Sequence, residues 1–292
     1  MENEGSARVA VLIPTVAEST LEEVIRRTRQ ELPSAEIILI SSDPVHALAK
    51  EYGTRFLEFS ERTWKSIGIN QAVSVTNKDW FVVVDADAIP APGWGRGMLR
   101  AFSLGHTFFT GSVDLSAGNY WMRAYNVSLL HEFSTGKPPS NRKHIPAISM
   151  GFTREFFDKN GPLLETINRS EDYEWSLRAF KNGLTPFFTP EPVVKHVPVN
   201  KSTFRDFWKF WVLSGPDNIR IRHLYAAIVR TPFLMRWPLF ILIFSPILAL
   251  IPTLRIFKTS PRLILHNLEL LPAIYLSKFA WCLGVYQFRK TI

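Results

Sequence analysis

The stretch Trp80-Phe-Val-Val-Val-Asp85-Ala-Asp87 sets five apolar residues directly before two acids that are one residue apart. The apolar run predicts a β-strand buried on both faces, as in a parallel sheet. In open α/β sheets, ligands bind beyond the carboxyl ends of the strands. Two carboxylates there repel each other unless a cation lies near them, and they suit Mg²⁺ or Mn²⁺ shared with phosphate oxygens. The stretch therefore predicts a metal site, although Asp-x-Asp alone also occurs in solvated loops.

Short apolar runs alternate with helical stretches on the N-terminal side of this strand. Residues 9–13 are a continuous apolar run that predicts a strand buried on both faces, and residues 36–40 are predicted to form the next strand. Between them, Ser19-x-x-Glu22 is typical of a capping box and predicts a helix over residues 20–31. The βαβα order predicts an α/β fold with a mostly parallel sheet and helices on both faces.

Polar residues follow the first two predicted strands. The first strand ends in Pro14-Thr15, with Glu18 shortly after, and the second ends in Ser-Ser-Asp43. A carboxylate at such a strand end can accept hydrogen bonds from a nucleobase or a ribose. Asp43 before Pro44 is equally suited to begin a helix, so both interpretations stay open.

The segment Arg169-Ser-Glu171-Asp172 opens a helix predicted over residues 172–181. A carboxylate in the first helical turn is stabilised by the helix macrodipole. Held there, it could take a proton from an attacking hydroxyl group. Simple capping explains the same residues and, for this segment taken alone, is the favoured interpretation.

Taken in order, these segments resemble the family 2 glycosyltransferases of the GT-A fold. The resemblance rests on Pro14-Thr15, Asp43, a helix carrying Asn70, Asp85-Ala-Asp87 and Glu171-Asp172, with Gly151-Phe-Thr-Arg154 similar to the acceptor-site segment of the family. It implies a Rossmann-like mixed sheet of the GT-A type. We expect residues 1–115 to form the nucleotide-sugar-binding half of that domain and residues 116–200 the acceptor-binding half.

The resemblance also implies an inverting, metal-dependent sugar transfer and a role for each matching residue. Asp172 would be the catalytic base, and Asp87 with His196 would bind Mn²⁺ or Mg²⁺, although His196 is equally well explained as an ordinary histidine. The residues expected to contact the nucleotide-sugar, a UDP-sugar by default, are Pro14, Thr15, Glu18, Asp43, Asn70, Asp85 and Ala86. Those expected to contact the acceptor are Gly151, Arg154, Glu171 and Trp175.

Two departures from the family pattern limit this assignment. The acidic cluster after the second strand is reduced to Ser41-Ser42-Asp43, which weakens the nucleobase assignment. The Gln-x-x-Arg-Trp motif of processive synthases is absent from the sequence. We therefore expect a non-processive enzyme that transfers one sugar per encounter.

The charge of the 292-residue chain is concentrated in its C-terminal third. The formal net charge is +8, and the stretch from Lys195 to Arg262 carries 11 Lys and Arg against two acids. A basic stretch beside apolar segments favours an anionic membrane surface over a merely solvated face. Nucleic acid is the least favoured partner, because the chain shows no zinc spacing, RNP motif or recognition-helix signature.

Residues 201–292 are expected to form a basic linker and a membrane-associated helical region. Residues 237–254 carry no charge, but their three prolines predict breaks or kinks. Residues 263–288 are apolar and amphipathic. Because the connecting loop is basic, the positive-inside rule favours an interfacial or re-entrant hairpin over two spans, and a buried soluble hairpin is the other alternative.

The remaining features concern location and rival functions. Cys282 is the single cysteine, so no intramolecular disulfide can form, and the acidic start lacks the pattern of a signal peptide. We expect a catalytic domain on the cytoplasmic side of the cytoplasmic membrane, acting on a lipid-linked or glycan acceptor. A sugar-phosphate nucleotidyltransferase is disfavoured because no glycine-rich loop follows the first strand. A non-catalytic membrane scaffold of the same fold is the third alternative.

Overall fold

The computed structural model describes residues 2–231, 235 and 237–290. Contacts within the chain divide it into two compact units. The first, here called the sheet unit, comprises Met1–Asp114 and Phe133–Val197, and the second, the helical unit, comprises Leu115–Glu132 and Pro198–Ile292. The contacts thus group Leu115–Glu132 with the C-terminal helices, whereas the sequence analysis assigned nearly all of it to the acceptor-binding half.

In the described part of the chain, nine strands form one mixed sheet. They are β1 (Val9–Pro14), β2 (Glu36–Ser41), β3 (Arg55–Glu58), β4 (Trp80–Val84), β5 (Ala88–Pro90), β6 (Phe108–Asp114), β7 (Ser140–Asn141), β8 (Ser149–Thr153) and β9 (Phe187–His196). Their order is β3-β2-β1-β4-β8-β6-β9-β5, and β7 pairs with β9. Strands β1 to β4 are mutually parallel, whereas β8 is antiparallel to β4 and to β6. The predicted α/β class with a mixed sheet is confirmed.

The described helices cover the sheet unit and make up the helical unit. They are α1 (Glu2–Ala7), α2 (Leu21–Glu31), α3 (His46–Glu51), α4 (Lys65–Ser74), α5 (Trp94–Ser103), α6 (Tyr120–Leu130), α7 (Arg154–Asn160), α8 (Glu171–Lys181), α9 (Phe204–Leu224), α10 (Pro238–Thr259), α11 (Pro261–Leu265) and α12 (Leu271–Lys290). The capping box predicted at Ser19 is wrong, since α2 takes Thr20 as its N-cap without a capping hydrogen bond from that side chain.

The core of the sheet unit lies along the parallel strands. Residues 9–13 of β1 and 81–84 of β4 are fully buried. Strands covered by helices on both faces must be apolar at every position, which explains why these segments show no polar alternation. The strand positions inferred from the apolar runs are therefore confirmed.

The two apolar segments of the helical unit differ from the expectation in their continuity. Residues 238–259 form one continuous helix, with Pro246 and Pro252 inside it, so the expected break at the prolines is wrong. The second segment, by contrast, is divided between α11, a short 3₁₀ turn and α12. By length and composition alone, Pro238–Thr259 and Leu268–Phe288 are each apolar enough to cross a membrane.

Candidate active site

Asp85 and Asp87 follow β4 at its carboxyl end. The Asp85 N–H donates to the Ile148 carbonyl at 3.2 Å, and the Ala88 N–H donates back to the Asp85 carbonyl at 2.9 Å, which closes a tight turn. Residue 88 then pairs with His196 as β5 runs antiparallel to β9. The strand pairing thereby sets the side chains of Asp87 and His196 next to each other, with Oδ1 and Nε2 3.4 Å apart.

The pair Asp87 and His196 is the part of the site best suited to a divalent cation. Both side chains are largely buried, with 13% and 5% exposure. A carboxylate oxygen beside an imidazole nitrogen is a mixed donor set that fits Mn²⁺, with further positions left for phosphate oxygens. Within the described residues, no group of three or more His, Cys, Asp and Glu side chains is arranged to hold a metal. The predicted ligands therefore fit a metal shared with a substrate rather than a closed protein cage.

Asp85 is engaged differently, because its carboxylate forms an ion pair with Lys65 at the start of α4. The Lys65 ammonium also lies 3.4 Å from the Ala147 carbonyl. Burial by itself would lower the pKa of Lys65, but attraction by the Asp85 and Glu171 carboxylates outweighs it and raises that pKa. Lys65 is thus a permanent cation among the acids of the site.

Asp172 is held at the first turn of α8 by backbone donors. Its Oδ2 accepts from the Ala147 N–H at 3.0 Å and its Oδ1 from the Tyr173 N–H at 2.7 Å. Ala147 therefore contacts both Lys65 and Asp172, since its carbonyl faces the ammonium and its N–H the carboxylate. The structure brings Asp85 and Asp172 to the same edge of the sheet, as predicted.

Glu171 lies next to Asp172 in the first turn of α8. Burial and the neighbouring Asp172 carboxylate raise the pKa of Glu171 to about 7. The preceding residue, Ser170, has a φ of 64°, a left-handed conformation that is costly for a residue other than glycine. Strained backbone of this kind concentrates at functional sites, where the surrounding structure holds it in place.

The loop after β1 forms a closed network around Glu18. The Thr15 hydroxyl donates to Glu18 Oε2 at 2.6 Å, the Val16 N–H donates to the same oxygen at 3.0 Å, and Ala17 has a φ of 53°. Thr20 then donates from its hydroxyl to the Ala86 carbonyl at 2.7 Å. The loop is therefore tied to the residue between Asp85 and Asp87.

The ends of β1 and β2 are joined by Ser41. Its hydroxyl donates to the Thr15 carbonyl at 2.9 Å and accepts from the Asp43 N–H at 2.9 Å. Helix α3 begins at His46 with Val45 as its N-cap. The helix-start interpretation of Asp43 is therefore wrong, and Asp43 is linked to the end of β1 through Ser41.

Four predicted site residues are engaged in packing or in structural hydrogen bonds. Asn70 exchanges hydrogen bonds with the backbone of Leu163 at 2.9 and 3.0 Å. Gly151 lies in β8 against the ring of Phe109, which leaves no room for a Cβ. Trp175 is fully buried, and its Nε1 donates to the Gly161 carbonyl at 2.8 Å.

Arg154, the fourth of these residues, lies at the amino end of β4. Its guanidinium donates to the carbonyls of Lys78 at 3.1 Å and Thr76 at 2.7 Å, and lies 4.8 Å from the ring of Phe81. Because the carboxylates lie at the opposite end of the strand, this placement corrects the expectation that Arg154 stands with the acceptor-site residues. Asn70, Gly151, Arg154 and Trp175 hold the fold through the contacts described.

Two residues that the sequence analysis missed, Lys65 and Thr20, connect the parts of the site. Lys65 begins α4, where the helix macrodipole disfavours a cation. A lysine in that position indicates a carboxylate partner elsewhere in the fold, and this signal was available in the sequence. Thr20 gave no such signal, because its hydrogen bond joins residues that are 66 positions apart.

Comparison with known proteins identifies related sequences and folds. A family model described as glycosyl transferase family 2 matches residues 10–160, just over half of the chain. A solved mannosyltransferase from Pyrobaculum calidifontis, in complex with GDP-Man and Mn²⁺, superposes with a TM-score of 0.55. The two are 15% identical, and the match covers 92% of this chain and 73% of that one. At this identity the likeness shows the fold alone, and no curated protein matches the chain significantly by sequence.

Proposed function

This chain belongs to glycosyltransferase family 2, and on that premise we propose that it transfers a sugar from a nucleotide-diphospho-sugar to an acceptor hydroxyl with inversion. One observation carries the proposal. The Asp85–Asp87 turn and the Glu171–Asp172 helix start meet at one edge of the sheet, joined through Lys65 and residue 147. Such an edge is where open α/β sheets bind their ligands.

Asp87 and His196 would hold the divalent cation, with Mn²⁺ favoured by the mixed donor set. When bound, the cation neutralises the negative charge that develops on the departing diphosphate. Lys65 keeps Asp85 oriented at the same strand end and leaves Asp87 as the acid that faces His196. A nucleoside, that of UDP by default, would lie along Pro14, Thr15 and Asp43.

Asp172 accepts the proton of the acceptor hydroxyl as the acceptor oxygen forms its bond to the anomeric carbon. The bond from that carbon to the diphosphate breaks on the opposite face, and the nucleoside diphosphate leaves with the electron pair. The two N–H donors orient the Asp172 carboxylate, and its remaining lone pairs stay available for the proton. No covalent intermediate on the enzyme is needed.

The acceptor is proposed to be lipid-linked or a glycan, met at the cytoplasmic face of the membrane. Trp64, rather than Trp175, is the aromatic residue proposed to contact the acceptor sugar. It is 47% exposed and immediately precedes Lys65, whereas Trp175 is fully buried. Aromatic faces bury apolar sugar surface, and indole can also donate a hydrogen bond. Two apolar helices in a basic region support attachment to an anionic inner leaflet.

A donor screen tests the proposal directly. The full chain is incubated with UDP-, GDP- and dTDP-sugars with and without Mn²⁺, and the shift in thermal unfolding is measured. We expect one donor class to stabilise the protein only with Mn²⁺, because binding to the folded state alone raises its stability. Asp87→Asn should remove the shift, while the exposed Asp158→Asn should keep it.

Two results would contradict the proposal. The first is the absence of any Mn²⁺-dependent shift with every donor, which favours the non-catalytic scaffold. The second is release of pyrophosphate from a nucleoside triphosphate and a sugar phosphate, which favours a nucleotidyltransferase.

A further inference from the structure

The two apolar helices of the helical unit differ in what covers them. Helix α10 is buried along the face that carries Ile241, Ser245, Leu248, Ala249, Thr253 and Ile256. Its opposite face is exposed and apolar over about four turns. That outer face consists of Leu239, Phe240, Leu242, Ile243, Ile247, Leu250, Ile251 and Leu254, each at least 39% exposed.

Helix α12 presents no comparable surface among its described residues. Its Ser277 is fully buried and donates to the Ser128 hydroxyl of α6 at 3.2 Å. The Lys278 ammonium donates to the Ser128 carbonyl at 2.8 Å and lies 4.6 Å from the ring of Trp211 on α9. Ser277 and Lys278 thus have partners in the protein, and α12 packs against both α6 and α9.

Helix α9 runs alongside α12 in close backbone contact. A Cβ on Gly215 would lie 2.7 Å from the Val285 nitrogen, and one on Gly284 would lie 2.0 Å from the Val212 carbonyl oxygen. The ring of Trp208 lies one to two turns earlier on α9, 6.3 Å from the ring of Phe279. The two helices are therefore parallel neighbours that must occupy the same depth in any membrane.

The charges of α9 oppose a transmembrane position for that pair. Arg205, Lys209 and Arg220 are exposed on α9, and Arg220 is paired only loosely with Asp217, at 3.8 Å. If α12 crossed a bilayer, α9 would carry these cations into hydrocarbon, where each is costly. Only α10 combines an apolar outer face with the absence of charge from residue 237 to residue 254.

We propose that the outer face of α10 docks onto an anionic bilayer with the helix lying in the plane of the membrane, while α9 and α12 stay on the water side. The helix of 22 residues is about 33 Å long and would sink only by the depth of its outer face. This deepens the proposed membrane attachment, on which it rests, by naming the contact surface and by excluding a spanning hairpin.

Basic residues at the ends of α10 complement an anionic lipid surface. Arg255 and Lys258 are exposed in the last turns of the helix, and Arg262 follows on α11. Arg230 is exposed on the other flank. In an in-plane helix both ends meet headgroups, so both flanks gain from the positive charge. This arrangement removes the conflict with the positive-inside rule that two spans would create.

Vesicle binding tests the contact surface. The full chain is mixed with vesicles of phosphatidylcholine alone or with 30% phosphatidylserine, and the bound fraction is measured by flotation. We expect binding to the anionic vesicles that weakens with salt and falls roughly 100-fold in the double variant Ile243→Asp/Ile251→Asp, since two inserted side chains are lost. Leu104→Asp, an equally exposed position on the sheet unit, is the matched control and should bind as the wild type does.

Labelling from one side tests the orientation. Single cysteines are introduced at the exposed positions Ala227 and His266, before and after α10, in the chain reconstituted into sealed anionic vesicles. A docked helix leaves both positions on one side, so a membrane-impermeant maleimide should label the two single-cysteine variants to the same extent. Labelling of one position with protection of the other would show a span and overturn the proposal.

Two other outcomes would also overturn it. Undiminished vesicle binding by the double variant would place the contact elsewhere. A dimer in solution that the double variant dissociates would make a second copy of the chain the occupant of this face. Both measurements are independent of sugar transfer, so failure of the donor screen with normal vesicle binding would refute the proposed function and leave the docking surface standing.

Discussion

Charged side chains lie at both ends of β4, but they are paired differently at the two ends. At the amino end, Asp79 pairs with Arg8 at 3.1 Å, and Arg154 is satisfied by backbone carbonyls. At the carboxyl end, Asp85 pairs with Lys65 and Asp87 lies 3.4 Å from His196, while Glu171 and Asp172 lie near Lys65. The first end pairs its charges within the protein, whereas the second gathers three carboxylates around Lys65.

This difference in charge pairing separates residues that stabilise the fold from residues that are proposed to bind a ligand. Like charges brought together cost free energy unless a cation or a proton compensates them. The amino end needs no partner from outside the protein. At the other end, burial and then the Asp172 carboxylate raise the pKa of Glu171, and the proposed cation would compensate part of the negative charge there.

The largest effect that separates the two ends is expected from Asp172→Asn. Loss of the proposed base should lower kcat for sugar transfer by roughly 10²- to 10⁴-fold, because an amide cannot take the proton. Donor affinity should change little. The measurement is transfer under saturating donor, and Asp79→Asn at the amino end is the control expected to retain full activity. Full turnover by Asp172→Asn would remove Asp172 from the role of base.

Arg154→Met should show the reverse pattern. It removes charge-assisted hydrogen bonds to backbone carbonyls and a cation–π contact, so the free energy of unfolding should fall by roughly 3 kcal/mol. Folded enzyme should keep its kcat. Arg8→Met, which breaks an exposed pair at the same end, should cost only about 0–1 kcal/mol. If Arg154→Met lost activity without losing stability, Arg154 would instead be assigned to the acceptor site.

The pH dependence of the stability of Glu171→Gln tests whether the pKa of Glu171 is raised in the folded protein. The pKa of Glu171 is raised from 4.5 to about 7 in the folded protein, so the folded state binds more protons than the unfolded state between these values. Stability from this group therefore falls as pH rises from 4.5 to 7. Above pH 7 the free energy of unfolding of Glu171→Gln should exceed that of the wild type by about 1–2 kcal/mol. This is less than the free energy equivalent to the full pKa shift, because the Glu171 side chain is not fully buried. Near pH 4 the two proteins should unfold alike, and parallel curves throughout would contradict the shift.

The smallest change in stability is expected from substitution of Ser170, which directly precedes Glu171. Ser170→Gly relieves the left-handed backbone strain but loosens the unfolded chain, so the net gain should be about 0.5 kcal/mol in the free energy of unfolding. Ser170→Ala keeps the strain and should give no gain. Chemical denaturation of the three proteins decides it, and equal stability of Gly and Ala variants would show that the conformation is not strained.

The positions of three parallel strands along the chain and their buried character were predictable because these depend on local periodicity. The acids that follow the strands could then be read directly from the sequence. Residues 9–13, 37–40 and 80–84 are apolar at every position, and that pattern has few interpretations other than a buried parallel strand. Asp87 was expected near His196 from the family order, and the structure places the two side chains 3.4 Å apart. Trp175 and Gly151 also matched that order, yet a sequence match cannot tell a side chain that lines a site from one that fills the core.

Tertiary structure alone decided which charges meet. Lys65 and Asp85 are 20 residues apart, Thr20 and Ala86 are 66 apart, and neither contact follows from spacing along a helix or strand. It also decided that α10 has one bare face while α12 is enclosed, although both segments read as apolar. Local sequence determines what an element is, because hydrogen bonding and periodicity are short-range. Which of its faces stays open depends on every other element that packs against it.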